Sequence, residues 1–475
     1  MGRAPYHHSH ARGRCLDGPA GVDEHQGLPA PFANPDPEGG GSFPLAFPFP
    51  AMRSIALVSL VLAFLVPVSL PGQEGVPQVP PSEDHELRVY LLTMDQGDEV
   101  WELFGHNALL IQNLTTGEEL AWNWGLFNFE DVDFLPRFLR GTMRYTMGPA
   151  PLGPFLDSYA RADRTVYASE VLLTPAEARE LDAFVRWNYL PENRPYIYDY
   201  FRDNCSTRVR DALDGVLDGV IGEHFRGRMT PYSYRWHTRR LVQVQGWVDQ
   251  GLSFLLGTRG DLPRSEWEAM FLPMELLESL EGFEFTDASG RSRSLLGPRE
   301  VLASSARPPT PDGPPAFSLL WLGLGLGGGL LIAGMGWSRF DTRSRTSRPA
   351  AWGLAGLGAA WGLFAGLLGT LLVASWGTDH VFIQRNINLL YTSPLGLLLV
   401  PLMPLGLLRH EGWRARARTI ARITALLIAA GSVLGAILQL LGIVTQGNAE
   451  VVAVALPVNV ALAWALFRRA SPQEP

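Results

Sequence analysis

Five apolar runs dominate the last third of the chain. They lie near 317–337, 351–375, 389–408, 419–444 and 450–467. Each run is long enough to cross a hydrocarbon core of roughly 30 Å as a helix, which takes about 20 residues. The pattern therefore predicts an all-α membrane domain of five transmembrane helices over 317–467, followed by a short tail at 468–475.

The loops between these runs differ in arginine content. Eleven arginines lie in the 338–350 and 409–422 loops and the C-terminal tail, whereas the alternating loops, 376–388 and 445–449, hold only Arg385. Arginine-rich loops are retained in the cytoplasm. The bias predicts a multi-pass protein with a cytoplasmic C-terminus and with the preceding soluble domain on the external side.

The first 85 residues show no pattern of a folded domain. Residues 1–51 are rich in Gly, Pro and His without apolar periodicity, and we interpret them as a mis-called or disordered extension. Arg53 and the apolar Ile55–Val66 then form a typical export signal over 52–72, for which an uncleaved anchor is the alternative. A polar linker at 73–85 follows. The pattern predicts an exported α+β domain over 86–305, and a Pro-rich linker at 306–316 ends it.

Two elements of this domain have clear signatures. Ala108–Ile111 predicts a buried strand, 115–118 a turn, and Leu120–Gly125 the return strand of a hairpin. Farther along, Ser206–Ile221 has apolar residues at helical spacing. Asn204, just before it, is a favourable N-cap residue. We therefore expect a helix that begins close to Cys205.

Cys205 is the residue with the clearest chemical potential. The only other cysteine, Cys15, lies in the proposed extension, so Cys205 has no disulfide partner although its domain is exported. It is either a buried apolar residue or a nucleophile. In a first helical turn the backbone N–H groups and the helix dipole favour a thiolate, so we expect a lowered thiol pKa. His106, at the start of a buried strand, is the candidate base, and Asn123 on the neighbouring strand would orient its imidazole.

The external loop after the second apolar run carries a polar cluster. Its members are Asp379, His380, Asn386 and Asn388. Such a cluster at a membrane surface binds a phospholipid head group, orients the soluble domain, or caps a helix. Three basic residues, Arg137, Arg140 and Arg144, form a second polar group. They either face solvent or contact lipid phosphates.

These residues resemble the Lnb-type family, whose exported domain precedes a membrane domain. The resemblance rests on Gly105-His106, the two strands that follow, and the motif Tyr198-x-Tyr200-Phe-x-Asp-Asn204-Cys205-Ser-Thr-Arg208. It extends to 378–380 and 386–390. The motif is also similar to the circularly permuted papain-like group that includes lecithin–retinol acyltransferase. In that group the histidine precedes the cysteine, and an asparagine stands directly before the cysteine.

The resemblance implies a permuted papain-like fold with Cys205 as nucleophile and His106 as base. Asn123 carries over as the third catalytic residue, which orients His106, and Asn204 as an oxyanion or orienting residue. Tyr198, Tyr200 and Arg208 match the motif without an assigned role, and we expect the tyrosines to line the core or a substrate groove. The family is linked to bacterial lipoprotein N-acylation, which implies a phospholipid acyl donor, a lipoprotein acceptor and the bacterial cytoplasmic (inner) membrane.

The hypothesis is therefore a cysteine acyltransferase. The alternatives are a cysteine hydrolase, acting on cell-wall peptides or phospholipids, and a non-catalytic membrane receptor or scaffold. A net charge of −8 gives no indication of a nucleic-acid partner. No clustered His, Cys and Asp spacing indicates a metal, and we expect no cofactor.

Overall fold

The computed structural model describes residues 86–128, 131–287, 290–339, 347–408 and 413–468. The extension, export signal and linker expected over 1–85 lie outside these ranges, as does most of the tail. The Pro-rich segment 306–316 contains neither helix nor strand. It joins an α+β part, 86–303, to a helical part, 319–467.

The α+β part is built on a seven-stranded antiparallel sheet with the spatial order β11-β5-β1-β2-β3-β4-β6. The two remaining strand pairs, β7 with β8 and β9 with β10, are short. The strands are β1 Leu87–Met94, β2 His106–Asn113, β3 Glu118–Leu126, β4 Arg144–Pro151, β5 Val166–Val171, β6 Tyr196–Ile197, β7 Met229–Ser233, β8 Pro263–Ser265, β9 Glu284–Thr286, β10 Ser292–Ser294 and β11 Leu296–Ala303. The predicted hairpin is confirmed as β2 and β3, and its register pairs Ala108 with Asn123.

Nine helices of the described residues accompany these strands. They are α1 Phe134–Arg140, α2 Leu152–Arg161, α3 Pro175–Tyr189, α4 Cys205–Val216, α5 Val220–Phe225, α6 Tyr234–Val242, α7 Gly246–Leu255, α8 Glu266–Ala269 and α9 Pro273–Leu280. The helix predicted after Asn204 is confirmed as α4, although it ends before Ile221. The chain turns after Val216 because Asp218 and Gly219 adopt positive φ angles, and α5 then begins.

Strand alternation gives the sheet two apolar faces. Leu91 and Leu109 belong to the larger core, which includes buried residues of α3, α4 and α9. Leu92 and Leu110, one position along each strand, belong to a smaller core that includes Phe155 of α2. Each fully buried leucine contributes about 1.5–3 kcal/mol relative to an exposed one. The α+β class predicted for this part is thus confirmed, with helices on both faces of the sheet.

The helical part is a bundle of apolar helices. Their bounds are α10 Leu319–Ser338, α11 Ser347–Ala374, α12 Gly396–Leu408, α13 Trp413–Leu440 and α14 Ala449–Phe467. Of the described helices, α10, α11, α13 and α14 are long and apolar enough to cross a membrane. Glycines let the helices approach closely, since a Cβ atom at Gly325 of α10 would lie 1.9 Å from the Ala453 carbonyl oxygen of α14.

The third apolar run is not confirmed as one of the five expected spans. Residues Ile387–Leu390 form a 3₁₀ turn, and α12 has only 13 residues, with two prolines inside. Thirteen residues of helix extend about 20 Å, which is short of a hydrocarbon core. The start of the run is instead held by polar contacts: the Asn459 amide donates to the Tyr391 carbonyl oxygen at 3.0 Å, and the Tyr391 hydroxyl donates to Gln439 at 2.9 Å. Irregular backbone of this kind is tolerated where it is buried in protein.

The two ends of the bundle differ in their surroundings. The loop before α12 and the first turn of α14 contact the α+β part, through Gly257 N–H to Phe382 O (2.7 Å) and Arg239 to Glu450 (2.9 Å). At the opposite end, Arg339 and Arg422 donate to carbonyl oxygens of Ala465 and Leu466 at the end of α14. This arrangement agrees with the orientation expected from the arginines, and the cytoplasmic C-terminus stays a prediction.

Candidate active site

Cys205 is the first residue of α4. The preceding Asn204 caps the helix, with its side-chain oxygen accepting from the Thr207 N–H (2.9 Å) and the Thr207 hydroxyl facing the Asn204 N–H (2.8 Å). Both hydrogens of the Asn204 amide are used as well, since Nδ2 donates to the carbonyl oxygens of Tyr200 and Phe271, each at 2.9 Å. Asn204 therefore orients the cysteine turn. The oxyanion role expected for its side chain does not fit this geometry, because Nδ2 has no hydrogen left to donate.

His106 and Asn123 face the same side of the sheet. His106 Nε2 lies 3.2 Å from Asn123 Oδ1, and Asn123 Nδ2 donates to the Ala121 carbonyl oxygen at 2.9 Å. Because Nδ2 is engaged, the oxygen faces the ring and accepts a hydrogen bond. This assigns the imidazole proton to Nε2 and leaves Nδ1 as an acceptor. The pairing expected between these two residues is present.

Gly125 marks the place where Cys205 and His106 approach each other. A Cβ atom at this position would lie 3.5 Å from Cys205 Cβ and 4.0 Å from His106 Cε1. Gly125 also has a φ of +93°, a backbone conformation that disfavours other residues. The end of β3 thus brings the cysteine, carried by a helix on one face of the sheet, beside the histidine on the other face.

The resting charge state of the pair is neutral. Burial and the nearby Arg164 guanidinium lower the pKa of His106 to about 4, against the effect of the Asn123 hydrogen bond. Burial also raises the pKa of the Cys205 thiol, and the backbone N–H groups of Asn107, Ser206 and Cys205 itself act in the opposite direction. The net shift of the thiol pKa is thus opposite to the one expected from the helix terminus alone. At neutral pH the site contains a thiol and an unprotonated imidazole.

The motif residues around Cys205 pack against each other. The ring of Tyr198 stacks on Tyr145 at a centroid distance of 4.1 Å and meets Tyr200 edge-on at 5.3 Å. Arg208 forms an ion pair with Asp203, and its guanidinium lies 4.1 Å from the centre of the Tyr196 ring. The tyrosines therefore pack against each other near the cysteine. Arg208 instead contacts Asp203 and Tyr196.

The loop residues expected to contact lipid divide into two pairs. Asn386 and Asn388 are buried, and their amides donate to the Phe254 carbonyl oxygen at 2.9 Å each. They fasten the α+β part to the bundle, so the head-group contact expected for them does not fit the structure, whereas the orienting role does. Asp379 and His380 lie against α1: the Asp379 N–H donates to Arg140 O (2.8 Å), and His380 Nε2 donates to Phe138 O (2.7 Å).

Arg164 is a site residue that the sequence did not indicate. It is buried, it contacts Glu102 (3.2 Å) and the Asp95 carbonyl oxygen (2.9 Å), and its charge acts on both His106 and Cys205. Nothing in the local sequence distinguishes it from the exposed Arg161 three residues earlier. Gly125 was likewise interpreted only as a strand residue, because its importance depends on a contact across the fold.

Two further observations bound the chemistry. In the described part of the chain, no group of three or more His, Cys, Asp and Glu side chains is placed to hold a metal ion. A cavity of about 380 Å³ lies away from the cysteine and is lined by Phe225, Arg228, Thr230, Tyr232, His237, Glu266, Ala269, Glu275, Glu278 and Ser279. Among the described residues, His237 in the lining of this cavity has no hydrogen-bond partner at either ring nitrogen, so Cys205 with His106 is the better candidate site.

Comparison with known proteins supports the resemblance noted above. Residues 83–240 match the family model described as the Lnb N-terminal periplasmic domain. This range contains β2, β3 and α4, and helices that could span a membrane follow it. No curated protein matches the chain. No solved structure matches it either.

Proposed function

We propose that the chain is a membrane-bound cysteine acyltransferase of the bacterial inner membrane, with its α+β domain on the periplasmic side. An acyl chain would pass from a phospholipid to Cys205, and then to the N-terminal amine of a diacylated lipoprotein. The observation that carries the proposal is the juxtaposition of Cys205 and an oriented, neutral His106 beside Gly125. The lipoprotein acceptor comes from the family resemblance.

In the first half-reaction, His106 Nδ1 takes the thiol proton as the sulfur attacks the ester carbonyl carbon of the phospholipid. A carbon–sulfur bond forms and the carbonyl oxygen becomes an oxyanion. The backbone N–H groups of Asn107, Cys205 and Ser206, which face the sulfur, are the donors nearest to it. The intermediate collapses by breaking the ester carbon–oxygen bond. The leaving lysophospholipid oxygen takes the proton from His106, and an acyl thioester remains on Cys205.

In the second half-reaction, the lipoprotein amine attacks the thioester carbon and gives its proton to His106. The carbon–sulfur bond breaks, an amide forms, and the sulfur recovers the proton from the imidazolium. The two steps balance without a cofactor. Asn123 holds the ring throughout, since its acceptor oxygen stabilises both the neutral and the protonated imidazole.

The position of the site supports lipid substrates. The turn before Cys205 contacts the loop before α12 in the helical part. The Phe201 ring lies 4.8 Å from the Phe382 ring, and the Arg202 guanidinium lies 5.5 Å from the same ring. Donor and acceptor proposed here are both confined to a bilayer. Cys205 follows Phe201 by four residues, so the proposed nucleophile is close along the chain to the contact with the part that carries the candidate spans.

Reconstitution tests the proposal. The purified full chain would be placed in vesicles whose phospholipid carries isotope-labelled acyl chains, together with a synthetic diacylated lipopeptide. Mass spectrometry should find labelled acyl amide on the lipopeptide with wild type and with Cys15→Ser, but not with Cys205→Ser. Labelled free fatty acid without the amide would indicate the hydrolase alternative. Neither product from correctly inserted wild type would favour a receptor or scaffold and overturn the proposal.

A further inference from the structure

The short helix α1 presents an apolar face to the exterior. Leu135 and Leu139 are 42% and 52% exposed, and Val132, just before the helix, is fully exposed. Residues four apart lie on the same face of a helix, so the two leucines are neighbours. Phe134 and Phe138, one position earlier in each case, pack inward instead. Adjacent exposed apolar side chains of this kind mark an interaction surface.

The contacts of α1 identify what this surface meets. Arg140 and Phe138 accept hydrogen bonds from Asp379 and His380, which follow the candidate membrane span α11 within a few residues. Trp376, at the end of that span, is 60% exposed, and tryptophan is enriched at membrane–water interfaces. A helix fastened to this loop lies at the level where the bundle leaves the bilayer. The exposed Arg140 and Arg144 add positive charge that suits lipid phosphates.

We propose that Val132, Leu135 and Leu139 insert into the interfacial region of the membrane, and that α1 forms the place where a phospholipid acyl chain leaves the bilayer for Cys205. The insertion follows from the exposure of these three side chains and from the hydrogen bonds that attach α1 to the loop after α11. The access route rests on the proposed acyl transfer.

A row of aromatic rings supports the access route. It runs from Phe138 to Phe134 (6.4 Å between ring centroids), Phe127 (6.0 Å), Tyr145 (4.8 Å) and Tyr198 (4.1 Å). Tyr198, the last ring of the row, lies near Cys205. The faces of these rings form a continuous row of largely apolar surface, which an acyl chain could follow.

A depth measurement tests the insertion. In full-length protein with Cys15→Ser and Cys205→Ser, an environment-sensitive fluorophore would be attached to Leu139→Cys and, separately, to Leu114→Cys. Leu114 is 44% exposed and follows β2 at the end opposite His106, so it is a matched control. In phospholipid vesicles the label at 139 should be blue-shifted and quenched by spin-labelled lipid, whereas the label at 114 should be quenched by aqueous iodide. Equal iodide quenching at both positions would overturn the insertion.

An activity measurement tests the access route. Leu135→Asp and Leu139→Asp should reduce thioester formation on Cys205 from vesicle phospholipid by about tenfold or more, because a carboxylate resists entering the interface. Leu114→Asp should not. Alkylation of Cys205 by a small soluble reagent should be the same in all three variants. Unchanged thioester formation in both α1 variants would overturn the route, whereas a wild type that forms no thioester would refute the acyl transfer and leave the depth measurement to decide the insertion.

Discussion

The Nε2 atom of His106 lies 3.2 Å from Oδ1 of Asn123 on the neighbouring strand. This contact assigns the imidazole proton to Nε2 and leaves Nδ1 as the acceptor of the ring. Replacing Asn123 with Ala should keep the fold but free the ring to rotate. We expect acyl transfer to fall by about 10²-fold, the lower end of what a positioned general base contributes. His106→Ala should cost more, up to about 10⁴-fold. Equal activity of Asn123→Ala and wild type would contradict the orienting role.

The pH dependence should reflect a histidine that stays neutral in acid. The base is competent only when unprotonated, and burial and Arg164 lower the pKa of His106 to about 4. Thioester formation should therefore remain near its maximum at pH 6 and fall as the pH drops through about 4. The rate of thioester formation over pH 3.5–8, measured in vesicles that stay intact over this range, gives the profile. An acidic limb near 6.5, the ordinary value for histidine, would contradict the assignment.

Arg164 should account for part of the lowering of the His106 pKa. Its charge lowers the pKa of His106, so Arg164→Gln should raise it and move the acidic limb of the profile to higher pH. The exposed Arg161→Gln is the matched control and should leave the limb in place. A purely structural role for Arg164 would reduce the amount of active protein without moving the limb.

Gly125 should be intolerant of a side chain for two separable reasons. Gly125→Ala imposes a positive φ on alanine, which costs roughly 1–2 kcal/mol, and puts a methyl group between Cys205 and His106. Gly117, in the turn between β2 and β3, has a φ of +76°, but a Cβ atom there would meet nothing within 4 Å, so Gly117→Ala carries the strain alone. Thermal unfolding should show that Gly125→Ala and Gly117→Ala are destabilised by comparable amounts. Only Gly125→Ala should lose transfer activity beyond what its stability explains.

The attachment between the two parts should depend on Asn388. Its amide donates to Phe254 O (2.9 Å) and its oxygen accepts from Asn448 (2.7 Å), all in buried surroundings. Asn388→Ala removes both bonds and leaves the buried Asn448 amide without this acceptor, at a cost of about 1–3 kcal/mol, whereas Phe254 O keeps the hydrogen bond from Asn386. Hydrogen exchange around 254–257 should rise accordingly. Thr258→Ala, which removes an exposed hydrogen bond to Arg385 O, should have little effect on the same peptides.

Local patterns predicted much of the fold. The β2–β3 hairpin and α4 followed from period-2 and helical spacing, and the capping role of Asn204 followed from its position before Cys205. Hydropathy found the four long candidate spans, whereas the fifth span expected over 389–408 is not confirmed. There the polar groups that hold the chain, such as Asn459 and Gln439, lie in other helices.

The site was only partly visible for the same reason. His106, Asn123 and Cys205 were identified by residue type, strand order and the family motif. The sequence predicted the wrong direction for the shift of the Cys205 thiol pKa. Burial raises this pKa by more than the backbone N–H groups at the helix terminus lower it. For Asn386 and Asn388 the sequence left head-group binding, domain orientation and helix capping open, since it does not show that Phe254 and Leu255 present carbonyl oxygens to them.

The raised pKa of the Cys205 thiol has a consequence for the durability of the protein. A periplasmic domain works in an oxidising compartment, and oxidants and disulfides react with exposed thiolates. A sulfur kept protonated and partly buried between transfers offers them little to attack. In the proposed mechanism the nucleophilic form exists only while His106 takes the proton, so Cys205 would need no disulfide partner to survive between transfers.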